Sequence, residues 1–173
     1  MYTLRCAVTL ERSLQHLPGE AESGPQLPTT RLGDWAVYRK HLGARPALIA
    51  VSHVTLLPVL LWAAPIDTVS LRLKASVGLT LMALGVPAPA LRTELAEMEL
   101  PLRGRIQDRR VRGTLNEFAF RARVHAAHAP EPLDLLAIGL RLSETPCGAR
   151  AYASPAALTV ALFGETVTSA GNR

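Results

Sequence analysis

Arginines concentrated in one segment are the residues of this sequence best suited to chemistry. Seven of them lie between positions 103 and 123, where the acids are Asp108 and Glu117. Paired guanidinium N–H groups bind phosphate and carboxylate oxygens strongly, so this composition predicts a surface for an anionic partner. The residues expected to contact the anion are Arg103, Arg105, Arg109, Arg110, Arg112 and Asn116.

The net charge of the chain comes from this segment. The 173 residues carry a charge of +5, and the 12 basic and 12 acidic residues outside positions 103–123 balance. Codon bias alone would scatter arginine along the chain. We therefore expect nucleic acid or another polyanion as partner. The alternatives are a protein partner and a solvated arginine-rich surface with intramolecular partners such as Asp108.

Two carboxylates are the candidate catalytic groups. Glu117 lies at the expected start of a helix and could act as a general base on a phosphorylated or nucleic-acid substrate. Asp34 stands beside Trp35 in a glycine-led turn. The competing interpretation is that both are helix caps, with Thr114 and Glu117 forming a capping box.

Metal, cofactor and thiol chemistry have little support in the sequence. His125 and His128 have the spacing of helical metal ligands, but a zinc site needs three or four ligands. We predict no metal and no cofactor. Alternation along the first strand predicts a buried Cys6, whereas Cys147 in a Pro-Cys-Gly turn is expected to be more exposed.

The elements that position these residues indicate an α+β fold. We predict a small antiparallel sheet of three or four strands, including a hairpin over residues 47–62, covered by about five helices. Residues 32–42 are predicted to be helical. A single domain is expected over residues 1–164, followed by a frayed tail at 165–173.

The arginine segment is predicted to be a strand, a turn and a helix. Pro101 favours an edge strand, with Arg103 and Arg105 on one side of it. Arg109, Arg110 and Arg112 are expected in the turn, and the helix is expected to begin at Thr114. Helix amides and arginines would then converge on one anion.

Residues 46–66 lack charged side chains and are long enough to cross a bilayer. Pro58 in the middle and the Ser52-His53 step favour a buried hairpin over a membrane span. The start of the chain does not resemble a secretory signal. We therefore expect a cytoplasmic protein without a membrane partner.

Several short motifs together resemble an uncharacterised bacterial family known only as a domain of unknown function. They are Leu4-Arg5-Cys6, Leu32-Gly33-Asp34-Trp35, Val51 to Val59, Arg110 to Phe118 and Glu144 to Gly148. The resemblance covers roughly residues 1–163 and implies a compact cytoplasmic domain without an established activity. The chain departs from the family pattern at Ala36, Val111 and Glu117, where the pattern has Tyr, Ser and Asp, so the resemblance implies an altered or weakened site.

Three hypotheses of function follow from these patterns. The first is a non-enzymatic domain that binds nucleic acid or phosphate through the basic strand–turn–helix at 103–123. The second is an enzyme for a phosphorylated or nucleic-acid substrate that uses Glu117 and Asp34 with the arginines. The third is a structural or regulatory protein-interaction module whose basic surface is incidental.

Overall fold

A computed structural model describes residues 1–19, 27–99 and 101–164. These residues form an α+β fold with five strands, six α-helices and two short 3-10 helices. In chain order the elements are β1 (Tyr2–Cys6), α1 (Val8–Ser13), β2 (Trp35–Leu42), β3 (Arg45–Ser52), β4 (Pro58–Trp62), a 3-10 turn (Ile66–Thr68), α2 (Val69–Ala83), α3 (Ala88–Glu97), β5 (Pro101–Arg105), α4 (Arg109–His128), α5 (Leu135–Ser143), a 3-10 turn (Gly148–Arg150) and α6 (Pro155–Gly164).

The five strands form one mixed sheet in the order β4-β3-β2-β1-β5. Strand β1 pairs in parallel with β2 and with β5, whereas β2, β3 and β4 pair antiparallel. The predicted α+β class and the antiparallel pairing of three strands are confirmed. The sheet has five strands instead of three or four, β1 pairs in parallel with both neighbours, and the described residues form six α-helices instead of about five. The parallel pairing was missed because side-chain alternation reports which face of a strand is buried and carries no information on the direction of its partner.

Helices cover both faces of the sheet. On one face Leu4, Trp35 and Val37 pack against apolar residues of α1 and α2. On the other face Ala36 and Ile49 pack against α4 and α5. Alternate residues at the start of β2 thus enter different cores, which explains why residues 35–37 are consecutively apolar and buried.

The hairpin prediction is confirmed, and the neighbouring helix prediction is wrong. Strands β3 and β4 pair from Ala47↔Trp62 to Val51↔Pro58 within the predicted hairpin. Residues 35–42, predicted to be helical, form β2 between β1 and β3. Pairing with strands on both sides outweighs the local pattern there. In the part of the chain that the structure describes, no helix is both long and apolar enough to cross a membrane.

The start of α4 also differs from the prediction. The helix begins at Arg109, five residues before Thr114, and its N-cap is Asp108, whose carboxylate accepts a hydrogen bond from the Arg110 amide at 2.7 Å. Thr114 lies inside the helix and donates to the Arg110 carbonyl. The capping box is therefore wrong, because Asp108, six residues before Thr114, caps the helix first. The predicted frayed tail lies outside the described residues.

Candidate anion-binding site

Strand β5 is an edge strand, as predicted, and it carries Arg103 and Arg105 on the α1 side of the sheet. They pair in register with Leu4 and Cys6 of β1. The side chains of Leu4 and Cys6 belong to the hydrophobic core on the face of the sheet that α1 covers. Arg105 donates from Nε to Glu11 of α1 at 2.9 Å. The Arg103 guanidinium lies 4.0 Å from the same carboxylate and also donates to a backbone carbonyl. Both arginines are thus oriented by α1.

The other predicted residues lie in the first two turns of α4. Arg109, Arg112 and Asn116 are exposed and share one side of the helix, since they are spaced by three and four residues. Arg112 donates from Nη2 to the Ile106 carbonyl at 2.9 Å. Arg110 is exposed on a different side of the helix. The predicted set is therefore divided between two faces of the sheet, and its anion-binding role stays a prediction.

Arg105 and Arg112 nevertheless meet at one cavity. It has a volume of about 350 Å³ and lies at the carboxyl ends of β1 and β5. Its lining residues are Cys6, Ala7, Val8, Tyr38, Arg105, Ile106 and Arg112. The cavity thus combines an apolar floor with two cations from the predicted set.

The topology of the sheet explains why a cavity forms at this place. Helix α1 follows β1 and packs toward one face, while α4 follows β5 and packs against β2 and β3 on the other face. Adjacent parallel strands whose following helices leave to opposite faces cannot fill the space beyond their carboxyl ends. In open α/β sheets such a crevice is where ligands bind.

The groups that line this cavity include guanidinium donors and a buried thiol. Arg112 uses one of its five N–H groups on the Ile106 carbonyl and retains four for an anion. Burial raises the pKa of the Cys6 thiol to about 12, so the sulfur stays protonated and is a weak nucleophile. No carboxylate is among the described residues that line the cavity.

Asp34, a catalytic candidate, forms a buried ion pair with Arg5. The Arg5 Nε donates to Asp34 Oδ2 at 2.7 Å, and the Thr3 amide donates to Oδ1 at 2.9 Å. The side chains of Arg5 and Asp34 are 15% and 8% exposed. Both carboxylate oxygens thus hold β1 to the start of β2, and these contacts give Asp34 a structural role.

Three of the sequence motifs, those that contain Arg5, Asp34 and His53, lie next to one another around Asp34. The amides of His53 and Val54 donate to the carbonyls of Asp34 and Leu32. Gly33 has a φ of +75°, and a Cβ there would lie 3.0 Å from the Val54 side chain. This close approach in the left-handed region requires glycine. The motifs containing Arg5, Asp34 and His53 therefore build one turn junction.

His53 is partly buried at this junction. Burial lowers the pKa of its imidazole, which favours the neutral ring. Its Nε2 is buried and has no hydrogen-bond partner among the described residues. Arg150 donates to the His53 carbonyl at 2.7 Å, which ties the turn after α5 to the junction.

Glu117, the second catalytic candidate, is exposed to solvent, whereas Asp34 is buried. Glu117 is exposed on α4 and pairs with Arg121 at 2.9 Å, one helical turn away.

Cys147 is 3% exposed, so the expectation of an exposed thiol is wrong. The turn that contains it packs against α4, and burial raises the pKa of its thiol. Within the described ranges, His, Cys, Asp and Glu residues form no group of three that could hold a metal ion.

Sequence reasoning missed Arg5 and Tyr38. Arg5 was visible as a polar residue in an alternating strand, but its partner depends on the parallel pairing of β1 with β2. Tyr38 reaches the cavity because β2 continues beyond the end of β1. No local signal in the sequence marks either relationship.

The described residues thus define an α+β domain with a basic cavity at the carboxyl edge of its parallel strands. The chain belongs to the family described as Domain of unknown function (DUF6933), whose model matches residues 3–158. Membership of a family of unknown function, expected from the motifs, is thereby confirmed. No curated protein and no solved structure matches the chain.

Proposed function

We propose that this domain binds a phosphate-bearing ligand, without covalent chemistry, in the cavity lined by Arg105 and Arg112. The observation that carries the proposal is the position of this cavity, where two arginines from different elements meet at the carboxyl ends of parallel strands. Two guanidinium groups that are oriented by separate contacts form a binding site whose geometry is set before the anion arrives.

The size and lining of the cavity indicate the class of ligand. A volume of about 350 Å³ is at the lower end of small-molecule sites. It accommodates a phosphate group together with a small apolar or aromatic group beside Tyr38 and Val8. A free phosphorylated metabolite and the terminal phosphate of a nucleic acid share this chemistry, and Arg109 extends the basic surface along α4 for a longer anion.

The enzymatic hypothesis has weaker support from the contacts of the carboxylates. Asp34 is engaged by Arg5 and Thr3, and Glu117 is engaged by Arg121. Neither lines the cavity. A phosphate bound between Arg105 and Arg112 would lack a general base from either residue, so we propose binding as the activity of this site.

Calorimetric titrations with inorganic phosphate, a nucleoside monophosphate and a 5′-phosphorylated single-stranded oligonucleotide test the proposal. We expect saturable binding of the phosphate-bearing ligands and no binding of the monophosphate's parent nucleoside. A ligand held by two arginines loses affinity modestly with salt, whereas nucleic acid contacting many cations loses it steeply. Absence of saturable binding for all three ligands would contradict the proposal.

A further inference from the structure

Helix α4 carries an exposed aromatic ring on its basic side. Phe120 is 59% exposed, whereas Phe118, two residues earlier, is fully buried. The exposed side, which we call the α4 stripe, consists of five residues at intervals of three or four: Arg109, Arg112, Asn116, Phe120 and Arg123. Within α4, all of which the structure describes, no acidic residue belongs to this stripe. An aromatic ring among cations is typical of surfaces that bind single-stranded nucleic acid.

The cations of the α4 stripe are available for a partner. The exposed guanidinium groups of Arg109 and Arg123 have no hydrogen-bond or ion-pair partner among the described residues. The acids of this region are engaged elsewhere, since Asp108 caps α4 and Glu117 pairs with Arg121 on a neighbouring side of the helix. With three arginines and no acid, the stripe keeps a charge of +3 for an anionic partner.

A recess beside the Phe120 ring offers space for a base. It has a volume of about 480 Å³ and is lined by Phe120 together with Glu117, Arg121, Val124 and His125 of the same helix. A base stacked on Phe120 covers the exposed ring, and its polar edge lies within reach of these charged and imidazole side chains. An acidic peptide would neutralise the arginines as well, but its carboxylates give the ring no stacking partner.

The α4 stripe is continuous with the anion cavity, because Arg112 belongs to both. Tyr38 lines the cavity, and the Lys40 ammonium group lies 5.7 Å from the centre of the Tyr38 ring. Lys40 stands between Tyr38 and Leu42 in the alternation of β2, and Leu42 enters the core under α4. The cavity thus adds a second aromatic ring and further cations at one end of the stripe.

We propose that the α4 stripe binds single-stranded nucleic acid whose terminal phosphate occupies the cavity between Arg105 and Arg112. This inference rests on the phosphate site of the proposed function and names its partner. One base stacks on Phe120, and Arg123 binds a backbone phosphate beyond it. Because these contacts are to phosphates and to the face of a base, binding depends little on base sequence.

The length of the α4 stripe sets the size of the site. Arg112 and Arg123 are eleven residues apart, which corresponds to about 16 Å along the helix axis. A stacked strand advances about 3.4 Å per nucleotide, so this distance holds at most about five nucleotides. We therefore expect the affinity to rise with oligonucleotide length up to about five nucleotides and then to level off.

Fluorescence anisotropy of the full chain with a 3′-labelled, 5′-phosphorylated hexadeoxyadenylate tests the proposal. We expect saturable binding that is at least about fivefold tighter than that of an abasic phosphate oligomer of equal length, as for one stacked base. Equal binding of the two oligomers overturns the proposal, because the stripe then recognises charge alone. Polyglutamate or anionic phospholipid vesicles that bind as tightly as the oligonucleotide overturn it likewise.

Substitutions on the stripe test the two contacts separately. Phe120→Ala is expected to weaken oligonucleotide binding at least about fivefold, whereas Phe120→Trp preserves it and its indole fluorescence is quenched by the stacked base. Arg123→Gln is expected to reduce the slope of log affinity against log salt by about 0.7, the value for one phosphate contact on a single strand. An affinity that withstands Phe120→Ala contradicts the proposal.

Leu79→Ala and Arg39→Gln are the matched controls. Leu79 is 51% exposed on α2, and the exposed Arg39 alternates with Lys40 and so lies on the face of β2 opposite α4. Both variants are expected to bind the oligonucleotide like the wild type. Circular dichroism and Tm confirm that all variants fold, as expected for exposed positions.

Comparison of ligands separates this inference from the proposed function. Saturable binding of inorganic phosphate, without any gain in affinity from a nucleoside monophosphate to the oligonucleotide, refutes the α4 stripe and leaves the cavity intact. Absence of binding for all phosphate-bearing ligands refutes the proposed function. An oligonucleotide that binds equally with a 5′-phosphate and with a 5′-hydroxyl overturns the placement of the terminal phosphate in the cavity.

Discussion

Arg105 and Arg112 line one cavity but are oriented from different sides of the sheet. Arg105 lies 2.9 Å from Glu11 of α1, and Arg112 lies 2.9 Å from the Ile106 carbonyl at the β5–α4 connection. The two arginines therefore depend on the divergence of α1 and α4. The anion site that we propose therefore lies between the helices rather than at the amino end of α4.

Asp34→Asn is expected to lower the free energy of unfolding by about 3 kcal/mol, because it leaves the Arg5 guanidinium largely buried without its carboxylate. Urea denaturation measures this change. Glu144→Gln, at an exposed position, is the matched control and should change stability by less than about 0.5 kcal/mol. Equal stability of the two variants would show that the Arg5–Asp34 pair is not a structural centre.

Asp108→Ala is expected to destabilise the protein by about 1 kcal/mol through loss of the α4 N-cap. Thr114→Ala should cost less than Asp108→Ala, because Thr114 lies within the helix and its hydroxyl donates only to the preceding turn. Thermal unfolding of both variants distinguishes a helix capped by Asp108 from a helix that begins with a capping box at Thr114. A larger loss for Thr114→Ala would favour the capping box.

Glu94 gives the fold a pH dependence that can be measured. It is 1% exposed and accepts hydrogen bonds from the amides of Arg31 and Leu32 at 2.8 and 3.1 Å. Burial, the larger effect, raises the pKa of Glu94 above its ordinary value despite these bonds.

Because the folded-state pKa of Glu94 is the higher one, the native state holds the proton more tightly than the unfolded state. The stabilisation is complete below the unfolded pKa of about 4.3 and is lost as pH rises through the raised value. Relative to Glu94→Gln, the wild type should thus lose stability as the pH rises from about 4 through the raised pKa of Glu94. Urea denaturation at a series of pH values checks this trend, and the opposite slope would contradict it.

Both thiols are expected to resist alkylation in the folded protein. Cys6 and Cys147 are 1% and 3% exposed, and burial raises the pKa of each. Labelling with a thiol reagent at pH 8 should therefore be slow under native conditions and fast in denaturant. Rapid modification of one thiol in native protein would show that its surroundings open.

Local pattern was sufficient for two elements of the fold. The uncharged run interrupted at Ser52-His53 predicted the hairpin, and Pro101 predicted an edge strand. Residues 35–42 were not predictable in this way. Their strand pairs on both sides, and that environment comes from distant parts of the chain.

The candidate site was predictable in composition but not in geometry. The concentration of arginine identified Arg105 and Arg112, yet the same segment also contains Arg103 and Arg110, which do not line the cavity. Which arginines meet depends on the parallel pairing of β1 with β5, and alternation in the sequence does not encode that direction.

Phosphate affinity of matched double variants tests the central claim most directly. Arg105→Gln/Arg112→Gln removes the two cavity cations, while Arg39→Gln/Arg141→Gln removes two exposed arginines elsewhere and changes the net charge equally. Calorimetric titration with phosphate is expected to show a loss of at least about tenfold for the cavity variant, as for two charge-assisted hydrogen bonds, and little change for the control. Equal affinities for the two variants would contradict an anion site between Arg105 and Arg112.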